Sequence, residues 1–490
     1  MRLSPCCSLM GVLALGCGVS LATEPGDLAT DVCVVGGGAG GCGAALAAAR
    51  AGARVVLVER EPRLGGTNTS GYVAAWQAGP SDSFAREIYD RLRRAPGAPL
   101  AGIAHECNLK RERGPFALWL IDPQLDYAHT LRRSQRDISQ CAAVVFDPDA
   151  LDQVFRQMLA EAGDCRVLLR TSMVDVRSTE RRVVSIEAEP HNGTRLKIHA
   201  RVFIDSTGGV ALCRKLGCET MLGSEPQERF QEPSALTGAT GMLNGISLCY
   251  RIRKTANPRR QAEIEGPVSA WPHSAHVTEI PGGDLMVNPL TIVPGTTLVE
   301  RGYDETLALA QRTAQAHWRW LQGLEPFAQY ELQSLAPMLG IRETYRVVGP
   351  YVLTEHDLRQ GFDRQPHKDM VALADHRIDL HGGRGQTRLI VVEQPYGIPY
   401  RCLIPKGWDN VLVACRGVSV SHIAASSCRL SRTILALGHA AGLAAAQAVR
   451  RDVNVDQIDV RAIQQELQIG VDQGPGVRET GGKPAVASPR

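Results

Sequence analysis

The sequence predicts an α/β fold, and three observations lead to this prediction. An apolar segment at 31–35 runs directly into a glycine-rich turn, an alanine-rich segment follows at 42–52, and a second apolar segment at 54–58 ends at Glu59. Strand, turn, helix and strand in this order form a βαβ unit of the usual length. The whole chain of 490 residues is long enough for two or three packed domains.

The composition excludes several classes of protein. Hydrophobic residues make up 44% of the chain and charged residues 21%, which is typical of a globular protein. The 54 basic residues nearly balance the 51 acidic ones, so nucleic acid is not an expected partner. The 14 cysteines contain no Cys-x-x-Cys pair, so neither an iron–sulfur cluster nor a structural zinc site is expected.

The glycine turn after the first strand carries the first functional signal. Gly36 allows a tight turn, Gly38 lets the backbone approach a pyrophosphate, and Gly41 lets the helix pack on the strand. Glu59, at the end of the second strand, is placed to accept hydrogen bonds from a ribose. The unit therefore predicts a Rossmann-like dinucleotide-binding domain.

A second glycine pair favours FAD over NAD. Gly65 and Gly66, followed by Thr67, come one short loop after the ribose acid. A backbone without side chains at this point would lie against the rest of an extended cofactor. A nicotinamide dehydrogenase has no need for such a loop, so the expected cofactor is FAD.

The next elements continue the domain. A helix is predicted over 147–159, followed by strands at 166–169 and 173–176, where Val174 is expected to contact the cofactor. A β-meander with a turn at 191–194 comes next. An apolar strand then ends in Thr207 and Gly208, where the chain would return to the dinucleotide.

The C-terminal part repeats the pattern of strand and glycine turn. The apolar segment 409–416 ends at Gly417. It leads to a long helix of small residues predicted over 427–449, which contains Gly442. Its bare face would pack closely on a sheet or on the cofactor.

Taken in order, these motifs resemble those of FAD-dependent oxidoreductases with the glutathione-reductase-like flavin fold. More closely, the chain is similar to the secreted or heterodisulfide-reductase-A-like group, through segments at 339–344, 378–381, 396–401 and 422–429. The resemblance covers most of 30–470 and implies non-covalent FAD and oxidoreductase activity. One departure is Gly209, which stands where the family usually has an acidic residue.

The resemblance also implies a domain map. A discontinuous FAD-binding domain would comprise 30–220 and 395–470, with an insert at 81–144, and an α+β substrate or cap domain would comprise 221–394. In the cap, a helix at 305–323 is predicted to bury one face as core. That face is formed by Leu307, Ala310, Ala314, Trp318 and Leu321. The tail at 471–490 is expected to be disordered.

The N-terminus predicts export. Arg2 precedes an apolar run over 9–21, and small residues stand at 20 and 22, the two positions that a signal peptidase reads, which is the pattern of a signal peptide over 1–22. The protein would then be secreted or periplasmic. The alternative is a lipoprotein acylated at Cys17, and no other stretch is expected to span a membrane.

Four residues are candidates for the chemistry. Arg429 is the expected cation beside the flavin. His422 is the first candidate for proton transfer, with ordering of its loop as the alternative. His381 and Arg342, from the cap domain, are further candidates that could equally have structural roles.

The function that these observations favour is hydride transfer between a small organic substrate, such as a carbohydrate or another alcohol, and non-covalent FAD. One alternative is a fumarate-reductase-like reductase of an activated C=C bond. Another is a flavin electron-transfer subunit that serves a partner protein. The identity of the substrate and of the electron acceptor stays open at this point.

Overall fold

The computed structural model describes residues 27–107, 116–132, 141–238, 241–382 and 387–469. The predicted signal peptide, Cys17 and the tail at 471–490 lie outside the described residues. Within those ranges, no helix is long and apolar enough to cross a membrane.

The helices of these ranges vary from one turn to more than seven turns. They are α1 Ala39–Arg50, α2 Ala85–Arg93, α3 Pro148–Glu161, α4 Ala211–Lys215, α5 Gln227–Phe230, α6 Thr297–Gln322, α7 Glu355–Gln360, α8 His422–Cys428, α9 Ser431–Arg451 and α10 Val460–Glu466. Short 3-10 helices occur at Gly66–Asn68, Tyr127–Thr130, Glu325–Phe327 and Tyr400–Leu403.

The strands belong to several separate sheets. Those of the N-terminal half are β1 Leu28–Ala29, β2 Val32–Val35, β3 Val55–Val58, β4 Ala75–Trp76, β5 Ala101–Cys107, β6 Phe116–Ile121, β7 Ala142–Phe146, β8 Cys165–Leu168, β9 Thr171–Thr179, β10 Arg182–Pro190, β11 Leu196–His199, β12 Val202–Asp205 and β13 Thr220–Met221. Those that follow are β14 Tyr250–Lys254, β15 Ala275–Glu279, β16 Leu285–Asn288, β17 Tyr330–Leu335, β18 Arg346–Val347, β19 Met370–Ala374, β20 Ile378–His381, β21 Thr387–Ile390, β22 Tyr396–Pro399 and β23 Val411–Val413.

A parallel sheet forms the centre of the fold. Its strand order is β23-β12-β2-β3-β8, and every neighbouring pair is parallel. The segments that predicted the βαβ unit form β2, α1 and β3, and every residue of the two strands is buried. Fully apolar strands of this kind are typical of a parallel sheet covered on both faces. The predicted α/β, Rossmann-like fold is therefore confirmed.

Helices α1 and α9 pack together through glycines. A Cβ atom at Gly438 would lie 2.0 Å from the carbonyl oxygen of Gly40, and one at Gly442 would lie 2.2 Å from that of Ala44. Real side chains do not approach a carbonyl so closely, so only glycine allows this contact. Gly442, predicted to contact the cofactor, lies in this helix–helix contact instead.

The insert at 81–144 belongs to a second, larger sheet. This sheet has the order β17-β14-β16-β15-β6-β5-β7-β4, with β6 parallel to β15 and the other pairs antiparallel. Strands β5 and β6 come from the insert, and they extend the sheet that the strands of 250–335 begin. The insert thus shares a sheet with strands of the segment 250–335.

Helix α6 packs on this sheet with the predicted face. Ala310, Ala314, Trp318 and Leu321 are completely buried, and Leu307 packs against them. The helix starts at Thr297, earlier than predicted, because a short helical segment precedes the predicted one. The two segments meet at Gly302, whose φ of 78° is not helical. The core assignment of this face is therefore confirmed.

The predicted helix at 427–449 is divided in two. Helix α8 ends at Cys428, and α9 begins at Ser431. At the start of α8, the side chain of Ser421 accepts a hydrogen bond from the backbone N–H of Ala424 (3.1 Å). His422 therefore begins a short capped helix rather than lying in a loop.

The close contact between α1 and α9 predicts that a methyl group added at Gly442 destabilises the protein. Gly442→Ala should lower the free energy of unfolding by about 1–3 kcal/mol, because the helices must separate to accommodate it. Gly238→Ala is the control, since a Cβ atom there meets nothing within 4 Å. Thermal and urea unfolding of both variants measure the difference, and equal stabilities would contradict the packing argument.

Candidate functional site

A cavity of about 970 Å³ lies between the two large sheets. One wall is formed by residues at the carboxyl ends of β2, β3 and β12, and the opposite wall by residues of β6, β15 and β16. The carboxyl edge of a parallel sheet is the usual location of a ligand in α/β folds. The volume also lies in the range of small-molecule sites.

The glycine turn after β2 forms the floor of the cavity. Gly36 has φ +101°, and a Cβ atom there would lie 2.4 Å from the carbonyl oxygen of Ser206. A Cβ atom at Gly41 would lie 1.8 Å from the carbonyl oxygen of Gly36. At Gly38, by contrast, a Cβ atom would meet nothing within 4 Å and would project into free space. Gly36 and Gly41 thus serve packing, whereas Gly38 leaves room for a ligand.

The second glycine segment lies directly beside the first. The backbone N–H of Gly65 donates to the carbonyl oxygen of Gly37 (2.8 Å). A Cβ atom at Gly66, which has φ +54°, would lie 3.0 Å from the Cα atom of Gly38. Together with Thr67, this segment lines the cavity and continues the side-chain-free surface.

Glu59 holds the end of β3 with backbone hydrogen bonds. Its carboxylate accepts from the backbone N–H groups of Gly37 (2.5 Å) and Glu61 (2.7 Å). Burial raises its pKa, and the two hydrogen bonds oppose that shift. Glu59 also lines the cavity, so the remaining lone pairs of its carboxylate can accept hydrogen bonds from the hydroxyl groups of a ribose.

The turn after β12 is fixed by a buried aspartate. The Asp205 carboxylate accepts hydrogen bonds from the backbone N–H (3.0 Å) and the hydroxyl (2.8 Å) of Thr207, and from the backbone N–H of Cys213 (3.0 Å). Burial raises the pKa of Asp205. This anchoring brings Thr207 and Gly208 to the cavity wall, where Gly209 lines it as well.

A cation lies next to that turn. Arg416 follows β23 and lines the cavity, and a Cβ atom at Gly208 would lie 2.8 Å from its Nη1 atom. Its Nε atom is buried and has no hydrogen-bond partner among the described residues, and burial lowers the pKa of the guanidinium. An anionic group of a ligand would satisfy this side chain.

Three predicted or neighbouring residues form a linked group at the other end of the cavity. The Nε2 atom of His381 lies 2.7 Å from the Oδ2 atom of Asp379. Arg429 donates from Nη2 to the backbone carbonyl of Asp379 (3.1 Å) and to its Oδ2 atom (3.4 Å). All three residues line the cavity.

The charges of this group shift each other's pKa. Burial and the Arg342 cation lower the pKa of His381 to about 4, although Asp379 opposes the shift. Burial alone would raise the pKa of Asp379, but the hydrogen bond from His381 and the charge of Arg429 hold it well below its usual range. At neutral pH the histidine is therefore neutral and the aspartate is charged.

Two further arginines and a histidine surround this group. Arg342 donates from Nη1 to the carbonyl oxygen of Gly245 (2.8 Å). Burial and the charge of Arg429 lower the pKa of Arg342 to about 10. Arg377 and His276 also line the cavity, and burial lowers the pKa of His276. This end of the cavity is therefore rich in cations.

His422 belongs to a buried polar network behind the cavity. Its Nδ1 atom lies 2.8 Å from the Glu343 carboxylate, which also pairs with Arg346. Asn244 donates from its side chain to Glu343 (2.8 Å) and accepts the backbone N–H of His381 (2.8 Å). Burial alone would raise the pKa of Glu343, but the charges of His422 and Arg346 lower it to about 2. The network therefore positions the segment that carries His381.

Most of the predicted site residues line the cavity. These are Gly36, Gly38, Glu59, Gly65, Gly66, Thr67, Thr207, Gly208, Arg342, His381 and Arg429. They come from segments far apart in the sequence, and the parallel sheet brings them together.

Other predicted residues lie outside the lining. Gly41 and Gly442 serve backbone packing, as described above. Strand β9 reaches the cavity through Met173 rather than Val174. Gly417 packs in the interior, where a Cβ atom would lie 2.9 Å from the carbonyl oxygen of Tyr345. His422 is directed toward Glu343, so its geometry assigns it a positioning role rather than contact with a ligand.

Sequence reasoning assigned no role to four cavity residues, Arg416, Asp379, Arg377 and His276. Arg416 could have been found, because it lies three residues after a buried strand that pairs in the same sheet as the strand before the glycine turn. Asp379 stands two positions before His381, so both side chains lie on one face of a strand. Nothing in the local sequence singles out Arg377 or His276.

The residues present fit an extended dinucleotide such as FAD. The absence of a side chain at Gly38 leaves space for a pyrophosphate. The first backbone N–H groups of α1 would stabilise the negative charge of that group. Glu59 can accept hydrogen bonds from a ribose. The buried Nε atom of Arg416 has no hydrogen-bond partner among the described residues, and an anionic group of the cofactor could accept its hydrogen bond. The cavity extends beyond these residues, which leaves its second end for a substrate.

Comparisons with known proteins agree with this chemistry. A family model described as FAD dependent oxidoreductase matches residues 31–467. No curated protein matches the chain.

Solved structures with a similar arrangement are distant. A geranylgeranyl bacteriochlorophyll reductase-like protein of Thermoplasma acidophilum is 13% identical, with a TM-score of 0.45 over 90% of this chain and 83% of that one. A flavoprotein/dehydrogenase from Cytophaga hutchinsonii is 14% identical, with a TM-score of 0.44 over 90% and 84%. The myxobacterial chondrochloren halogenase CndH is 14% identical, with a TM-score of 0.39 over 90% and 78%.

The free space at Gly38 separates folding from ligand binding. Gly38→Val should leave the thermal stability of the ligand-free protein unchanged, because the new side chain meets no protein atom at Cβ. It should weaken FAD binding about 10- to 100-fold, since the valine would occupy the ligand's space. Fluorescence titration with FAD and thermal unfolding measure both effects, with Gly238→Val as the control. Undiminished affinity would place the cofactor elsewhere.

Proposed function

Because the chain belongs to the family of FAD-dependent oxidoreductases, we propose that it is an enzyme for hydride transfer between non-covalent FAD and a small organic substrate, such as a carbohydrate or another alcohol. FAD is its cofactor, and when bound it supplies the site that takes up or releases the hydride. The glutathione-reductase-type domain arrangement and the place in the secreted or heterodisulfide-reductase-A-like group are part of the same proposal.

The observation that carries this proposal is the pair of His381 and Asp379 in the cavity. Their 2.7 Å contact uses Nε2 of the imidazole. The Nδ1 atom makes no hydrogen bond within the described part of the chain, so it is free to face a substrate. A neutral histidine oriented by a carboxylate is a suitable general base.

The pair can take the proton that an alcohol must lose on oxidation. Nδ1 of His381 accepts the hydroxyl proton, the electron pair of the O–H bond forms the new carbonyl bond, and the hydrogen on carbon leaves with its electron pair as the hydride. Asp379 holds the imidazole in the tautomer with the proton on Nε2 and stabilises the imidazolium that forms. Because the pKa of His381 is lowered to about 4, the base is ready at neutral pH.

Arg429 and the start of α9 supply positive potential in the same cavity. The Arg429 side chain is only 11% exposed, and Leu430 and Ser431, where α9 begins, line the cavity beside it. Backbone N–H groups at a helix start and a buried guanidinium both stabilise negative charge. Arg429 also holds Asp379, so it orients the base indirectly.

Export to the periplasm or the medium is proposed from the leader alone. The apolar run after Arg2 and the small residues at 20 and 22 support it. Acylation at Cys17 would instead leave the protein anchored to a membrane by lipid. Mass spectrometry of the protein purified from its native host separates cleavage near residue 22 from acylation.

The proposed reaction is tested by mixing the FAD-loaded protein with a panel of sugars, alcohols and amines without oxygen. An alcohol substrate should bleach the absorbance of oxidised flavin. The reduced protein mixed with enoates provides the second arm, and reoxidation there alone would indicate a C=C reductase. Persistent colour with every donor would contradict the proposal and favour an electron-transfer subunit.

The role of His381 predicts a pH profile. In the wild type, the rate of flavin reduction at limiting substrate should fall as the pH decreases through about 4, because protonated His381 cannot accept a proton. His381→Asn should lower that rate about 10²- to 10⁴-fold and lose this acid limb. Stopped-flow pH jumps measure both, which keeps exposure to acid short.

His439 provides a matched control. Burial lowers its pKa to about 4 as well, but its Nδ1 atom pairs with Ser83 (2.6 Å) away from the cavity. His439→Gln should keep both the rate and the acid limb. A wild-type profile in His381→Asn would refute the assignment of His381.

A further inference from the structure

The substrate end of the cavity contains two guanidinium groups, those of Arg342 and Arg377. Within the described ranges, Arg342 hydrogen-bonds only to a backbone carbonyl, and the Arg377 side chain makes no hydrogen bond. Among the residues that the structure describes, neither has a carboxylate within ion-pair distance. Both line the cavity.

The acids at this end do not balance these cations. Asp379 is already engaged by His381 and Arg429. Glu106, the other carboxylate of this part of the lining, has its pKa raised by burial, with the charge of Arg377 opposing the shift. His276 and His381 have lowered pKa values and are neutral. Arg342 and Arg377 therefore add positive charge that no described side chain neutralises.

The positions of these groups are close enough to act on one ligand. Arg342 donates to the carbonyl oxygen of Gly245 (2.8 Å), and the backbone N–H of Gly245 donates to the carbonyl oxygen of His381 (3.1 Å). Arg377 comes directly before strand β20, which carries Asp379 and His381. Both arginines and His381 therefore line one region of the same cavity.

A cation that is partly buried and has no acidic partner is costly, and the planar fork of a guanidinium matches a carboxylate. We propose that the substrate carries a carboxylate, which Arg342 and Arg377 bind beside the His381–Asp379 pair. This inference rests on the proposed hydride transfer and narrows its substrate to a hydroxy acid. The carboxylate fixes the substrate, and its hydroxyl group is presented to Nδ1 of His381.

The phosphates of the cofactor are a different ligand for a different part of the cavity. Gly38 and the start of α1 provide the free backbone surface for a pyrophosphate, and Arg416 lies beside Gly208 at that end. Arg342 and Arg377 instead come from the segments that the sequence assigns to the substrate domain. Removal of Arg377 should therefore leave FAD binding unchanged.

The inference is tested by binding, which requires no turnover. The FAD-loaded protein is titrated with small carboxylates from acetate to benzoate and with 2-hydroxy acids, each against its own amide, while the flavin spectrum and the melting temperature are recorded. The expected result is that at least one carboxylate binds tenfold or more tightly than its amide. Equal binding of acid and amide throughout the panel, or tighter binding of inorganic phosphate, would overturn the inference.

Substitution of Arg377 assigns the effect to this site. Arg377→Met should fold normally, since no side-chain hydrogen bond or ion pair is lost, and should weaken carboxylate binding about tenfold or more. Arg377→Lys should restore part of the affinity. Arg319→Met, at an exposed surface position, is the control. Weaker FAD binding in Arg377→Met, or unchanged carboxylate binding, would contradict the assignment.

Failure of this inference can be distinguished from failure of the proposed function. Reduction of the flavin by neutral alcohols, together with equal binding of acids and amides, would refute only the inference that the substrate carries a carboxylate. Preferential carboxylate binding without flavin reduction by any hydroxy acid would refute only the hydride transfer.

Discussion

The fold depends on a close approach of backbone to backbone at the start of α1. Gly36 lies against Ser206, the first residue after β12, and Gly40 lies against Ala414, where a Cβ atom would be 1.8 Å from the carbonyl oxygen. Helix α9 then packs on the same helix through Gly438. Because no side chain intervenes, three strand ends and two helices converge on one edge of the sheet. The cavity lies at that edge, so the packing that stabilises the domain also creates the ligand site.

The two ends of the cavity are built by different means. The end near Gly38 consists mainly of backbone, whose geometry is set by the parallel sheet. The end near His381 consists of side chains, which need a separate support. The buried network of Glu343, Arg346 and His422 supplies it, because Asn244 connects that network to the backbone of His381. Buried charges are tolerated when every partner is satisfied, and such networks fix a single arrangement.

The sequence allowed accurate prediction where a residue's role depends on its immediate neighbours. The glycine turn, Glu59 and the apolar face of α6 follow from local spacing, and the structure places them as expected. Gly442 could not be assigned correctly, because a small residue on a helix suits a cofactor and a second helix equally well. The insert at 81–144 could not be placed, since the register of β6 beside β15 depends on residues more than 150 positions away. For the same reason, Arg377 and His276 acquire meaning only from their spatial neighbours.

Unpaired cations at both ends of the cavity connect stability with ligand binding. Arg416, Arg342 and Arg377 lie at the cavity wall without acidic partners in the described part of the chain, and burial lowers the pKa of the first two. Folding must therefore desolvate positive charge without an internal counter-ion, which costs free energy. A ligand that supplies anionic groups offsets this cost only in the folded state, so its binding stabilises the protein. The arrangement thus favours anionic ligands over neutral molecules of the same shape, because only they recover the free energy spent on desolvation.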